Sequence, residues 1–339
     1  MTSSAIHETP AETTAGLRAE FSSLLGGCGA CDLQNRAKLS LSGNDRVRWL
    51  NGMITNKVRD LPIGQGVYGF VLTVQGHILG DLYAYNRGES LVLDIDEAQR
   101  DKLLAIFRKY IIMDKVEIAD LSEQLHTIGI TGPKALTVLQ AAGLDTQNLE
   151  PLHCIESTWQ GAPVSIVRSD TTVDSYEIWA APEKAKALRE TLLKSGASSV
   201  GNGALELLRI ASGRPRYGQD IGERDLPQET AQLRALHFAK GCYIGQEIVE
   251  RIRSRGAVHR KFSGFDVKGP LPAPNTKIQF GGKDVGEITS GATLPLASGD
   301  RSVALGYVRR EAADSGQPLQ AGDAQLTVAS VPFPGVFLN

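Results

Sequence analysis

Cysteine is scarce in this sequence: four residues in 339, at positions 28, 31, 154 and 242. They are too few and too scattered for a disulfide framework, so a reducing compartment, the cytoplasm, is the expectation. Long apolar runs are missing too. No stretch supplies the roughly 18 continuous apolar residues of a membrane span, and the polar, Ser/Thr-rich start holds no signal-peptide core. Excess charge of one sign is also absent. Lys and Arg number 36 against 38 Asp and Glu, so no global field draws a polyanion and any nucleic-acid role must be local. Histidines at ligand spacing are lacking as well: His126, His153 and His237 show neither HxH nor HxxxH, and no metal site is expected.

What remains is the composition of a soluble globular protein, 42% hydrophobic and 22% charged, long enough for two or three domains. Residues 1–32 read as a loose tail with a short helix near Leu17–Leu25. Cys28 and Cys31 then form a CxxC with no second pair, which favours a plain structural reading over a metal or redox site. From Ala37 the pattern turns regular. Leu39 and Leu41 alternate as in a strand, and Gly43-Asn44-Asp45 offers a cap before Val47, Leu50 and Ile54 at helical spacing. Residues 66–85 read as two extended runs joined near Gln75-Gly76, 91–95 as a third, and 96–110 as a helix. The grammar repeats with strands near 125–130, 163–168 and 175–180, a helix opened by Gly132-Pro133, and another at 182–195. Two such units over 33–262 predict an α+β fold of paired, interwoven ferredoxin-like layers rather than a doubly wound sheet. Over 263–339 the runs FSGFDV, KIQF, VGEITS, SVALGYV and QLTVASV, with Gly281-Gly282 suited to a tight hairpin, predict a small β-barrel.

The chemistry gathers at residues 240–247, KGCYIGQE: Lys240, Gly241, Cys242, Tyr243, Ile244, Gly245, Gln246 and Glu247. Ile248, Val249 and Ile252 then form the apolar stripe of a short helix, which sets Cys242 about one turn before a helix N-terminus. Helix ends and cations such as Lys240, Arg251, Arg253 and Arg255 favour a thiolate over a thiol whose free pKa is about 8.5. The plain alternative is a small buried hydrophobe.

KGCYIGQE followed by IVERIRSRG closely resembles the signature of the YgfZ-type folate-binding proteins, relatives of aminomethyltransferase, the T-protein of the glycine cleavage system. The resemblance runs from about residue 33 to residue 310. It implies T-protein-like α+β subdomains and a C-terminal barrel around a channel for tetrahydrofolate. Asp81, in GHILGDLYAY, matches the aspartate beside folate in the T-protein and becomes a proton-handling candidate, with Cys242 and Lys240 the other catalytic candidates. Glu177, in SYEIWA, matches a pterin contact, and a carboxylate suits the adjacent N–H donors of an aminopyrimidine edge. Arg209, in LLRIASG, is kept from a T-protein folate-site run. Departures stand beside these matches: Ala211 replaces an expected glutamate, Lys57 an aspartate, Asp170 a tyrosine and Ser175 a glycine.

The resemblance therefore implies a tetrahydrofolate-binding accessory protein that supports assembly or repair of iron–sulfur enzymes and the tRNA modification depending on them. The alternatives are a folate-dependent one-carbon transferase, an aminomethyltransferase forming methylene-tetrahydrofolate, and a noncatalytic RNA-binding module. The patch of Arg251, Arg253 and Arg255 suits an anion, the glutamate tail of folate or an RNA backbone. RNA is the weaker partner, because few aromatics interleave with the patch. A monomer is the default expectation.

Overall fold

A computed structural model describes residues 14–146, 149–256 and 258–337. The expected tail over residues 1–13 lies outside the described residues. Two sheets and a barrel make the fold. The first sheet is antiparallel throughout, in the order Gly66–Leu72, Ile78–Asn86, Leu91–Asp96, Arg36–Ser42, Glu117–Asp120. The second runs Ser198–Ser199, Gly29–Asp32, His126–Thr131, Ser175–Ala180, Ala162–Arg168, Cys154–Trp159.

Strict alternation along the strands explains how these sheets bury one face on helices. In the first, Leu39, Leu41, Leu82, Leu91, Leu93 and Ile95 pack on Leu50, Leu103 and Phe107 from the helices Arg46–Met53 and Arg100–Tyr110. In the second, Ile128, Ile130, Ile166 and Ile178 pack on Val138, Leu139, Leu188 and Leu192 from the helices Ala135–Ala141 and Pro182–Lys194. The remaining positions carry Lys38, Asp94, Tyr83 and Tyr85 on one sheet and Glu177 and Trp179 on the other. These inner faces meet. Tyr85 packs edge-on against Trp179 with centroids 5.7 Å apart, and the Lys38 ammonium lies 4.7 Å over the Trp179 ring.

The third part is a closed six-strand barrel built from Arg260–Lys268, Gly299–Arg309, Lys283–Leu296, Lys277–Phe280, Leu319–Ala321 and Ala324–Ala329. Gly281 and Gly282 turn its tight hairpin at φ of 57° and 73°, a region that admits glycine freely. The helices Thr14–Gly26 and Asn202–Ala211 cover its other side, where Phe21, Leu24 and Leu208 join Phe262, Leu305 and Tyr307 in one core. No helix among the described residues is long and apolar enough to cross a membrane.

The structure differs from the sequence reading in detail. The strands Gly29–Asp32, Glu117–Asp120 and Cys154–Trp159 were not foreseen, because each is short or strongly polar. The helix after Gly132-Pro133 starts only at Ala135. The CxxC does not converge: odd spacing sends Cys28 into the core of the second sheet and Cys31 toward its inner face. Burial pushes both thiols up to about 12 and that of Cys154 up to about 11.

Candidate functional site

Between the inner faces lies a cavity of about 300 Å³, at the small end of ligand sites, lined among others by Tyr83, Tyr85, Asp94, Gly129, Glu177 and Arg209. Strand register builds it. Tyr83, Asp94 and Lys38 stand side by side across three strands of the first sheet, and Cys31, Gly129 and Glu177 do so in the second. Gly129 matters because it lacks a side chain: a Cβ there would sit 2.8 Å from the Cys31 sulfur and 2.9 Å from Leu33. Gly129→Val is therefore expected to fill the cavity and abolish ligand binding, at a cost of about 1–3 kcal/mol in stability from overpacking. Titration calorimetry and urea unfolding of the same variant check both halves.

Glu177 is held from one side. Its Oε2 accepts from the Trp179 indole at 2.9 Å and lies 3.7 Å from the buried Lys38 ammonium, while Oε1 has no hydrogen-bond partner among the described residues. Lys38 also binds Asp94 at 2.6 Å, and Arg36 closes on the same carboxylate at 2.7 Å. Burial alone would raise the Asp94 pKa, but Arg36 and Lys38 outweigh it and hold the carboxyl below its usual range. The sequence reading missed Arg36, Lys38, Asp94, Tyr83 and Tyr85. A signal was present, since Lys38 in RAKLSLS and Asp94 in LVLDID interrupt otherwise apolar strands.

Asp81 lies on the same strand face as Tyr83 and Tyr85 but does not line the cavity. Its carboxylate accepts from the Tyr68 hydroxyl at 2.7 Å and from the Gln99 amide at 2.8 Å. Burial, then the Asp81 charge, pushes the Tyr68 phenol well above its usual range, so it stays a donor. Tyr83, whose ring centroid is 4.9 Å from that of Tyr68, stands between Asp81 and the cavity. Asp170, in place of the expected tyrosine, ties down the neighbouring loop: Arg214 reaches its carboxylate at 2.9 Å, Arg234 pairs with it too, and the Arg234 guanidinium covers the Tyr68 ring at 4.1 Å. Arg209 is on the wall with all five donors engaged, by both Glu206 oxygens, Asp220, the Arg214 carbonyl and Ser290. It fastens the helix Asn202–Ala211 to the barrel and has no N–H left for a ligand.

The octet forms a separate feature. Lys240 is buried, and its ammonium donates to the carbonyls of Asn51, Ile54 and Asn56 at 2.6, 2.6 and 2.7 Å. Burial pulls its pKa down to about 7. Tyr243 packs under that ammonium at 4.9 Å, and Ile244 joins the core of the first sheet. Gly245 has φ of 83°, and a Cβ there would sit 2.6 Å from the Thr73 carbonyl, so the loop can lie against this hairpin only with glycine. Gln246 accepts from the Tyr243 amide, Glu247 is exposed in the first turn of the helix Gln246–Arg255, and Gly241 and Cys242 face outward. Cys242 is the one exposed cysteine of the four. The lysine expected to act on the thiol instead anchors the loop that displays it.

The arginines of the expected patch share the helix Gln246–Arg255. Arg251 is exposed, Arg253 lies over Phe238 at 4.5 Å and pairs with Glu250, and the Arg255 side chain lies outside the described residues. Cys242 and the cavity are likewise apart, since Cys242 is not among the cavity's lining residues. The structure thus brings Glu177 and Arg209 together, keeps Asp81 behind Tyr83, and places the octet elsewhere.

Similarities to known proteins follow this division of the chain. Residues 255–333 match the CAF17 C-terminal β-barrel domain, and residues 4–240 match the GCVT N-terminal domain. The chain is 30% identical to an aminomethyltransferase of Rubrobacter xylanophilus, over 94% of this chain and 86% of that protein. It is 30% identical to an aminomethyltransferase of Nostoc sp., over 90% and 83% respectively. Its fold superposes on the crystal structure of glycine cleavage system aminomethyltransferase T from Bartonella henselae with a TM-score of 0.86, at 25% identity, covering 96% of this chain and 91% of that one. The GCVT match spans more than half of the sequence and the inter-sheet cavity lies within it, so the chain belongs to the aminomethyltransferase-like GCVT family, with a CAF17-type barrel at its C-terminus.

Proposed function

We propose that the chain is a cytoplasmic, YgfZ-type tetrahydrofolate-binding accessory protein. Folate sits between the sheets, and Cys242 serves iron–sulfur enzymes, in their assembly or repair and in the tRNA modification that depends on them. The observation that carries this reading is the separation of two features: a cavity with an uncommitted Glu177 oxygen, and an outward cysteine on an anchored loop that does not line it. The residues present fit the ligand. Glu177 offers Oε1 to the aminopyrimidine edge, Gly129 leaves room that any side chain would take, and Tyr83 and Tyr85 offer ring walls. Tetrahydrofolate, when bound, supplies one-carbon chemistry at its ring nitrogens. Asp81, held by Tyr68 and Gln99, stands behind Tyr83, and would hold or move a proton there only with the Tyr83 ring turned aside. The iron–sulfur assignment follows from the resemblance of the KGCYIGQE octet.

Anaerobic calorimetry with tetrahydrofolate, paired with iron–sulfur enzyme activity in cells lacking the protein, tests the division of labour. Cys242→Ala is expected to keep wild-type folate affinity and lose the cellular role. Loss of binding in that variant, or full rescue by it, defeats the reading.

Aminomethyl transfer is the second reading, favoured by identity to aminomethyltransferases along nearly the whole chain and by the ordered Asp81 carboxylate. Ala211, Lys57 and Asp170 stand against it. Methylene-tetrahydrofolate formed from an aminomethyl-lipoyl carrier, and lost in Asp81→Asn, would put this reading first.

A further inference from the structure

Beside the cysteine loop lies a second cavity of about 260 Å³, between the end of the helix Arg46–Met53, the turn at residues 57–60 and the backbone of 239–241. Its charge is one-sided, with Lys57, Arg59 and Lys240 against Asp60. Asp60 answers Lys57 across the turn at 3.2 Å. Arg59 is exposed, and its guanidinium has no carboxylate partner among the described residues. Lys240 stands behind this wall, where burial pulls its pKa down to about 7, so it adds part of a positive charge near neutral pH. Of the two buried lysines, Lys38 faces Asp94 and Glu177, whereas Lys240 faces three carbonyl oxygens and the Tyr243 ring, with no carboxylate among the described residues. Arg59, a cation without a counter-charge, favours an incoming anion at this wall, and an anion there would in turn favour the charged form of Lys240.

The wall is built rather than loose. The Asn51 side-chain oxygen accepts from the backbone amides of Val58 and Arg59 at 3.1 and 3.3 Å, which ties the turn to the helix. Gly241 lines the cavity with open space where a Cβ would stand. Cys242 follows it in sequence, about 3.8 Å away between Cα atoms, and is exposed.

We propose that this cavity is an anion subsite for the Cys242 thiol. It seats the carboxylate or phosphate group of a small molecule against Lys57 and Arg59, with the field of Lys240 behind them, so that the rest of the molecule reaches the sulfur. The inference extends the reading of Cys242 as the working group and is independent of folate binding.

Alkylation by iodoacetate and by iodoacetamide tests it, because both reagents form the same kind of thioether with loss of iodide and differ in charge. Their rate ratio cancels any change in the thiolate fraction. Peptide mass spectrometry reads the label at Cys242, and Cys242→Ala is expected to remove it, since Cys28, Cys31 and Cys154 are buried. In the Lys57→Gln/Arg59→Gln variant the iodoacetate-to-iodoacetamide ratio is expected to fall about three- to tenfold, as it should in the wild type on raising salt or adding inorganic phosphate. The pair lost with Asp60 is exposed and contributes little to folding. An unchanged ratio in the variant overturns the subsite. A wild type that neither reagent labels at Cys242 overturns it together with the reading of Cys242, while tetrahydrofolate calorimetry still reports on the other cavity.

Discussion

Glu177→Gln is expected to weaken tetrahydrofolate binding about 100-fold, equivalent to about 2.7 kcal/mol, with the fold intact. The Trp179 indole can still donate to the amide oxygen, so the side chain keeps its place. Facing the cavity, however, the amide presents one acceptor and one donor where the aminopyrimidine edge requires two acceptors, and the negative charge is gone. The buried Lys38 keeps Asp94 as its nearer partner, at 2.6 Å against 3.7 Å to Glu177, so the lost charge leaves no unpaired cation. Anaerobic calorimetry measures the affinity and urea unfolding the stability. Wild-type affinity in Glu177→Gln would remove Glu177 from the site and with it the proposed pose of the pterin.

Lys240→Met is expected to cost about 3–5 kcal/mol in stability, because two buried carbonyl oxygens and one half-buried one lose the Lys240 donor at once and each orphaned group costs about 1–3 kcal/mol. Cys242→Ala, at an exposed neighbouring position, should change stability by less than about 0.5 kcal/mol. The contrast separates anchoring from chemistry within three residues of sequence, and a shift in urea midpoint reads it directly. pH sharpens the test. With a folded pKa of about 7 against an ordinary value of 10.5, the folded state binds fewer protons than the unfolded one between those values, so wild-type stability rises with pH across that window. Lys240→Met lacks this contribution, and its deficit should be larger at the alkaline end of the window than at neutral pH. A variant as stable as the wild type would show that the carbonyl cage does not hold the loop.

Local physics was legible wherever a period could express it. The alternation of Leu39 and Leu41, the stripe of Leu103, Leu104 and Phe107, and the turn at Gly281-Gly282 each appear in the structure as the side-chain pattern predicts. Short strands escaped this reading. Gly29–Asp32 has only four residues, too few for a pattern, and so Cys31 within it and Cys28 just before it resembled a motif although they enter different cores. The polar residues on the inner faces were visible only as interruptions. Asp94 in LVLDID reads as an exposed residue until the second sheet is laid against it.

The sequence by itself determined the apolar side of the longer alternating strands, where the barrel begins to turn on itself, and that the KGCYIGQE octet places a cysteine ahead of a helix. Periodicities of 2.0 and 3.6 residues, and glycine's access to positive φ, act over a few residues and leave their mark locally. Only the tertiary structure decided what those faces meet. Lys240 finds its carbonyls more than 180 residues earlier in the chain, and Lys38 lies 139 positions from Glu177. A side chain with several donors records in the sequence how many bonds it can make, but not with whom. That is why Arg209 looked available for a ligand and is fully engaged, and why the lysine beside Cys242 turns away from the sulfur to hold the loop in place.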